Sequence, residues 1–292
     1  MNVENWFMAP MEIEKPKPGQ QKEISEDFAR YFRPVPCHGD PGARFSTSDV
    51  NIRRATAPPL PTEVRIEPFE GLSHGQKGAD VKRVQKVLGK WNSALGVKAT
   101  GVYDRKTRDA LTLYKAIYGG EGGGAEIDGT TAKYLRQMEE GTFWEAPPVK
   151  TAQQEMLYHA SRHLGKPYVL GGDGVRSTDC GMLTSQAMKQ SGVGSFSRLA
   201  DMQYRSARRG EQGLNFHNSE PVAGDLIFFR VPTRQSSIAY DGVTHVTMYV
   251  GDGLTLAASS GAGKVILQPL EQLDHYVAGF GRVKEQQLAS AD

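Results

Sequence analysis

Residues 169–183 read VLGGDGVRSTDCGML, a glycine-rich loop that runs into Asp179 and Cys180. Apolar residues then recur at helical spacing, which predicts a helix that begins at the cysteine: Leu183, Ala187 and Met188. A thiol in the first turn of a helix faces unpaired backbone N–H groups and the positive end of the helix dipole. Both favour the thiolate, which is the form that attacks carbonyl carbons. The stretch therefore predicts that Cys180 is a nucleophile.

A histidine lies far downstream in a run with a β pattern. Residues 242–251 read GVTHVTMYVG, so that His245 stands among apolar residues. Thiol acyl transfer requires a cysteine and a base that takes up and returns protons, and His245 is suited to that role. The sequence therefore predicts a cysteine peptidase or amidase in which Cys180 and His245 are catalytic.

The composition is that of an ordinary soluble, folded chain. Its 292 residues are 38% hydrophobic and 23% charged, and the length suffices for two domains with cores of their own. The net charge of +2 is too small to indicate nucleic-acid binding. No stretch approaches the ~18 apolar residues of a membrane span. The first ten residues lack the basic and apolar regions of a secretory signal, so we expect synthesis in the cytoplasm and delivery by another route.

The sequence predicts no cofactor and no metal site. Cys37 and His38 are adjacent, but no second cluster of cysteine or histidine accompanies them. A disulfide between Cys37 and Cys180 is disfavoured as an expectation, because it would consume the proposed nucleophile.

Residues 1–66 form a proline-rich arm, with nine prolines between residues 10 and 61. Proline removes a backbone donor and blocks helix continuation, so we expect irregular, extended structure there. Two interpretations are open. The arm is a linker or tail, or it packs on the catalytic domain and plugs its cleft before delivery.

Residues 67–142 predict a small unit of three helices. The first helix follows the turn at 75–78, the second follows the turn at 101–107, and the third follows a looser copy of that turn at 128–131. This run resembles the peptidoglycan-binding domain 1 family, through Gly78, Asp80, Val81, Gln85, Leu88, Gly101, Tyr103, Thr107 and Ala110. The resemblance implies a module that binds peptidoglycan. A structural spacer without a ligand is the alternative, because Tyr114-Lys115 and the glycine-rich loop 119–124 depart from the family pattern.

Residues 143–150 contain two consecutive prolines and predict a short, stiff linker. From residue 151 to 292 the pattern is that of a helix, then the cysteine helix, then several strands. Helices followed by antiparallel strands make this domain α+β.

The domain resembles the NlpC/P60 family of papain-like cysteine peptidases. Four signatures carry the resemblance: GKPYVLGG at 165–172, TDCG at 178–181, PVAGDL at 221–226 and HVTMYVG at 245–251. The resemblance implies helices packed on an antiparallel sheet and cleavage of cell-wall peptides at the γ-D-glutamyl bond to the diamino acid. It also implies that Tyr168 lies near the developing oxyanion and that Asp179 binds a substrate amine. On the residues alone, Asp179 serves equally well as a helix cap, and Asp225 is a turn residue rather than a catalyst.

The chain departs from the family at two positions. Gly181 stands where the family has a serine, so recognition of the substrate amine at this subsite is expected to differ. Ala257 stands where the family has a polar third catalytic residue, and alanine cannot orient an imidazole. Either Cys180 and His245 act as a dyad, or a neighbour such as Ser259, Ser260 or Gln268 substitutes, or activity is weakened or lost. Ser259 is also a candidate for substrate binding.

The leading hypothesis is a peptidoglycan hydrolase in which a wall-binding module tethers a cysteine endopeptidase. It would act in the periplasm or on the cell wall, as a secreted antibacterial effector or a phage lysin. Its expected partners are peptidoglycan and either an immunity or inhibitor protein or a delivery machinery. Two alternatives remain: a wall-binding protein with a degenerate peptidase domain, and a cysteine amidase or acyltransferase that acts on another amide.

Overall fold

The computed structural model describes residues 68–120, 123–142, 151–232 and 241–284. These residues all belong to one compact unit, Glu63–Asp292. The proline-rich arm, Cys37 and the linker at 143–150 lie outside the described residues. Among the described residues, no helix has the length and apolar character that a membrane crossing requires.

The first part of the unit consists of the three helices that the sequence predicts. They are α1 (Ala79–Trp91), α2 (Arg105–Tyr118) and α3 (Gly129–Glu140). The turns before α2 and α3 are built alike, because Asp104 accepts from the backbone N–H of Thr107 and Asp128 accepts from that of Thr131. The internal repeat in the sequence is therefore a repeated helix cap. That the three-helix part binds peptidoglycan stays a prediction.

A buried glutamine joins the first two helices. The side chain of Gln85 donates to the hydroxyl of Thr107 at 2.9 Å and to the carbonyl of Val102 at 2.7 Å, and it accepts from the N–H of Gly101 at 2.8 Å. These contacts satisfy the amide without water. They give Gln85, Gly101 and Thr107 a common structural role.

The second part of the unit is α+β, as the sequence predicts. Its helices are α4 (Ala152–Ser161), α5 (Cys180–Gln190) and α6 (Ala200–Arg209). Among the described residues of this part, six antiparallel strands form one sheet in the order β1-β6-β2-β3-β4-β5. The strands are β1 (Leu214–His217), β2 (Leu226–Phe229), β3 (His245–Gly251), β4 (Leu254–Ser259), β5 (Lys264–Pro269) and β6 (Val277–Val283). Short 3₁₀ turns lie at Ser93–Leu95, Glu211–Gly213, Leu270–Gln272 and Asp274–Tyr276.

The helices pack on the sheet through one apolar core. Helix α5 packs on β3 and β4, and α6 packs on β1, β3 and β6. The ring of Tyr204 on α6 meets those of Phe216 and Phe228 edge-on at 5.6 and 5.5 Å. This packing holds α6 against the sheet.

The helical part is attached to the α+β part near the end of β3. The carboxylate of Asp252 accepts from the hydroxyl of Thr112 at 3.1 Å and from the N–H of Gly124 at 2.8 Å. Strand β3 has seven residues from His245 to Gly251, so its two ends lie roughly 20 Å apart at about 3.3 Å per residue. These two hydrogen bonds therefore lie near the end of β3 remote from His245.

Candidate active site

Cys180 is the first residue of α5, as the sequence predicts. It is present as a thiol and is 8% exposed. The preceding residue, Asp179, has extended backbone and caps the helix, since its carboxylate accepts from the N–H of Met182 at 2.8 Å. The thiol therefore lies where the helix dipole favours the thiolate.

The carboxylate of Asp179 also holds two neighbouring segments. It accepts from the N–H of Gly171 at 2.8 Å and from the guanidinium of Arg198 at 2.6 Å. Arg198 in turn donates to the carbonyl of Gly172 at 3.1 Å. Asp179 is 5% exposed. The hydrogen bond from Met182 confirms its interpretation as a helix cap, whereas its role in binding a substrate amine stays a prediction. A substrate amine would have to share a carboxylate that Arg198 already occupies.

Tyr168 lies beside the residues that lead to the nucleophile. Its segment pairs with Thr178, because Val169 donates to the carbonyl of Thr178 at 3.0 Å and Thr178 donates to that of Pro167 at 3.0 Å. On the other side, the N–H of Tyr168 donates to the carbonyl of Gly263 at 2.8 Å. This half-buried tyrosine is thereby placed beside a residue only two positions before Cys180.

His245 is the first residue of β3 and is 1% exposed. Its ring packs against that of Phe229, with the centroids 5.7 Å apart and the planes inclined by 36°. Phe229 is also its register partner on β2. Because α5 packs on β3, the helix that begins at the cysteine lies against the strand that begins at the histidine.

Gly181 is buried under the backbone of the loop before α6. A Cβ at this position would lie 2.7 Å from the carbonyl carbon of Arg198 and closer still to its oxygen. Side-chain atoms do not approach backbone this closely, so serine does not fit without a shift of the loop. The departure from the family at Gly181 thus has a steric cause in Arg198, and this position offers a substrate no side chain.

Ala257 lies in the middle of β4 and is fully buried. It faces Ile266 on β5. Extending the β3–β4 register by one residue from Met248 and Leu256 brings Ala257 opposite Thr247. Thr247 is fully buried, and its hydroxyl has no hydrogen-bond partner among the described residues.

The candidate substitutes for Ala257 have different environments. The hydroxyl of Ser259 accepts from the N–H of Ala262 at 3.2 Å and so stabilises the turn between β4 and β5. Gln268 is buried on β5 opposite Thr255. Ser260 is exposed in the turn. Ser259 as a substrate-binding residue and all three as orienting residues stay predictions.

Asp225 is a structural residue, as expected from the sequence. Its buried carboxylate accepts from the N–H of Val222 at 2.9 Å and from the guanidinium of Arg282 on β6 at 2.7 Å. It also lies 3.2 Å from the ring of His217. Among the described residues, no three histidine, cysteine, aspartate or glutamate side chains are grouped so as to hold a metal ion.

Sequence reasoning missed Arg198 and the whole of α6. Nothing in the sequence connects Arg198 with Asp179, because they are 19 residues apart. Helix α6 did leave a signal, since Ala200, Tyr204 and Ala207 recur at helical spacing and Gly210 follows the last turn with φ 67°. Residues of α6 and of the loop before it therefore contact the cysteine helix without any recognisable motif.

Three aliphatic side chains of the glycine-rich loop are exposed to solvent. Val169, Leu170 and Val175 are 50, 81 and 75% exposed. The loop is held by Asp173, whose carboxylate accepts from the N–H groups of Val175 and Arg176. Those hydrogen bonds, with that from the Arg176 side chain, keep the pKa of Asp173 below its ordinary value.

Known proteins resemble parts of the chain. The probable endopeptidase p60 of Listeria seeligeri is 33% identical over 128 residues, which are 44% of this chain and 22% of that protein. A probable endopeptidase of Corynebacterium glutamicum strain R is 32% identical over 114 residues, which are 39% of this chain and 46% of that protein. The chain thus spans less than half the length of either relative.

A solved structure, that of NlpC1 from Trichomonas vaginalis, is 24% identical and has a TM-score of 0.40 over 49% of this chain and 47% of that one. The model of the NlpC/P60 family matches residues 165–277. That range includes the glycine-rich loop, Cys180 and His245, and it excludes the three-helix part. The resemblance to the NlpC/P60 family is thereby confirmed for residues 165–277, which are less than half of the chain. The resemblance of the three-helix part to the peptidoglycan-binding domain 1 family stays a prediction.

Proposed function

We propose that the chain is a peptidoglycan hydrolase, and that its NlpC/P60 domain cleaves an amide bond in cell-wall stem peptides. One observation carries the proposal: the helix that begins at Cys180 lies against the strand that begins at His245, within a domain of this family. The similarity to probable endopeptidases supports a peptidase rather than another use of the thiol. The substrate places the site of action at the cell wall.

The proposed mechanism is thiol acyl transfer. The Cys180 thiolate attacks the scissile carbonyl carbon, and the resulting oxyanion is stabilised by the backbone N–H of Cys180 and the hydroxyl of Tyr168. His245 donates its proton to the leaving amine as the carbon–nitrogen bond breaks, which leaves a thioester. Neutral His245 then takes a proton from water as the water oxygen attacks the thioester carbon. The carbon–sulfur bond breaks, which releases the acid and restores the Cys180 thiolate and the His245 imidazolium.

The proposed bond is the γ-D-glutamyl amide to the diamino acid. In such a substrate, the nitrogen at the N-terminal end of the stem peptide lies near the nucleophile, either as a free amine or as an amide. Gly181 and the Asp179–Arg198 ion pair support a subsite that differs from that of relatives with serine, because Arg198 adds positive charge where an amine would bind. We therefore expect a lower preference for a free N-terminal amine.

The test is digestion of purified peptidoglycan with product identification by mass. Wild-type protein and Cys180→Ala are compared, each first shown to be folded by circular dichroism. Peptide fragments released by the wild type alone support the proposal, and their masses identify the bond. No fragments from either protein, while both sediment with the sacculi, would favour a wall-binding protein without peptidase activity.

The amidase or acyltransferase alternative has its own readout. Ala257 and Gly181 are the residues that leave it open, because both depart from the pattern of the NlpC/P60 family. Incubation with defined muropeptides distinguishes it from the leading proposal. Cleavage at the sugar–peptide amide, or transfer of the acyl group to an added amine, would favour this alternative over an endopeptidase.

A further inference from the structure

Helix α6 contacts the first turn of the cysteine helix through a buried glutamine. The amide nitrogen of Gln203 donates to the carbonyl of Gly181 at 2.9 Å and to that of Ser197 at 2.7 Å. Its oxygen accepts from the hydroxyl of Thr184 at 2.8 Å. Gln203 is fully buried, so these bonds are not exchanged for water and fix the turn that carries Cys180.

The same helix contacts the backbone that leads into the histidine strand. One carboxylate oxygen of Asp201 accepts from the N–H of Asp241 at 2.9 Å and from that of Val243 at 3.3 Å. Asp201 is 3% exposed. Val243 lies two residues before His245, so this carboxylate fixes the entry into β3.

Further contacts reinforce that entry. The guanidinium of Arg230 donates to the carbonyl of Asp241 at 3.0 Å and to the hydroxyl of Tyr204 on α6 at 3.3 Å. The N–H of Thr244 donates to the carbonyl of Phe229 at 2.9 Å. The backbone before His245 is therefore held both by β2 and by α6.

Asp201 and Gln203 are two residues apart on one helix, and a helix is rigid over that distance. The cysteine turn and the histidine entry are thus tied to a common element. This link does not use β4, where Ala257 stands in place of the family's polar residue.

We propose that α6 sets the relative position of Cys180 and His245, with Asp201 and Gln203 as its positioning residues. The inference rests on the proposed function, since it concerns the same pair of groups. An imidazolium stabilises a thiolate only at short range, because their attraction falls with distance and solvation. Loosening either anchor would therefore lower the fraction of thiolate without removing a catalytic group.

The test measures alkylation of Cys180 by iodoacetamide, which needs no substrate. The protein carries Cys37→Ala throughout, because the sequence has two cysteines and only Cys180 must react. The readout is the ratio of the alkylation rates at pH 6 and pH 9, which cancels differences in access. An ordinary thiol with a pKa of about 8.5 gives a ratio below roughly 0.01.

In the parent protein we expect a ratio above roughly 0.1, which corresponds to a thiol whose pKa lies below about 7. Asp201→Ala and Gln203→Ala should each lower the ratio at least fivefold, and His245→Ala should abolish the high ratio. Asp201→Asn should stay within twofold of the parent, since the amide oxygen still accepts both N–H bonds. Arg209→Ala, an exposed change on the same helix, is the matched control and should leave the ratio unchanged.

Two results would overturn the inference. Unchanged ratios in Asp201→Ala and Gln203→Ala, with only a lower melting temperature, would make α6 a structural helix and leave the proposed function intact. A ratio in the parent protein that is as low as that of an ordinary thiol would show that His245 does not activate Cys180. That result would contradict the proposed function as well. If the alanine variants do not fold, Thr184→Val replaces them, since it removes the hydroxyl that Gln203 accepts from and keeps the shape of the side chain.

Discussion

The carbonyl group of Arg198 occupies the space that a side chain on Gly181 would need. Its carbon lies 2.7 Å from the position of a Cβ on that glycine. Glycine to alanine ordinarily stabilises a helix, by about 1 kcal/mol. Here the overlap outweighs that gain, because overpacking costs about 1–3 kcal/mol and the neighbour is backbone.

We therefore predict that Gly181→Ser is less stable than the wild type and hydrolyses peptidoglycan more slowly. The displaced loop would move Arg198 away from Asp179. Denaturant unfolding and the digestion assay measure the two effects. Gly261→Ala, where a Cβ would meet only the Ser259 hydroxyl at 3.9 Å, is the control and should change neither. A Gly181→Ser variant of full stability would show that the loop yields easily.

Arg198 is expected to stabilise the capping carboxylate. Removing it in Arg198→Ala leaves Asp179 buried with only backbone donors, at an expected cost of about 1–3 kcal/mol. Arg176→Ala breaks the exposed ion pair with Asp173 and should cost less, because solvent screens an exposed pair. Urea unfolding of both variants gives the comparison. Equal costs would mean that the Asp179–Arg198 pair has no special role.

Two threonines on neighbouring strands allow a matched test of what a hydrogen bond to a buried hydroxyl contributes to stability. Thr247 has no partner for its buried hydroxyl among the described residues, whereas the hydroxyl of Thr255 donates to the carbonyl of Gln268 at 3.3 Å. Valine keeps the shape of threonine. We predict that Thr247→Val is neutral or stabilising by up to about 1 kcal/mol, and that Thr255→Val is destabilising by about 1 kcal/mol. A destabilised Thr247→Val would indicate a bond to a bound water.

His163 predicts a pH dependence of stability. Burial, together with the charges of Lys166 and Arg162, lowers the pKa of His163 from 6.5 to about 4. The folded state therefore binds fewer protons than the unfolded state between these values, and stability falls as the pH drops from 6.5 toward 4. The contribution is at most roughly 3 kcal/mol.

The measurement is the free energy of unfolding at pH 7, 6, 5 and 4 for the wild type and His163→Gln. The difference between the two curves isolates His163 from the carboxyl groups that titrate in the same range. We expect the variant to lose less stability on acidification. Parallel curves would contradict the lowered pKa.

The sequence was most informative where structure is local. The caps at Asp104 and Asp128 lie three residues from the threonines they hold, and the helix start at Cys180 follows directly from its own loop. Such signals are complete within one turn, so patterns alone located α1, α2, α3 and α5. The antiparallel strands around His245 followed from apolar runs in the same way.

The rest of the site depends on contacts between distant residues. Asp201 and Val243 are 42 residues apart, and Gln203 and Gly181 are 22 apart. A polar residue in an unremarkable helix gives no indication of which backbone groups it will meet. For the same reason, the sequence does not show that the backbone of Arg198 excludes a side chain at position 181.

The central claim is that Cys180 forms a thioester with the acyl side of the cleaved peptide. The most direct measurement is made by quenching the reaction with acid while the protein digests peptidoglycan fragments. The mass of the protein-derived peptide that contains Cys180 is then measured by mass spectrometry. We predict a mass increase equal to the acyl portion in the wild type, absent in Cys180→Ala, which also releases no product. Product release by Cys180→Ala at the wild-type rate, or turnover with the Cys180 peptide never modified, would contradict the account.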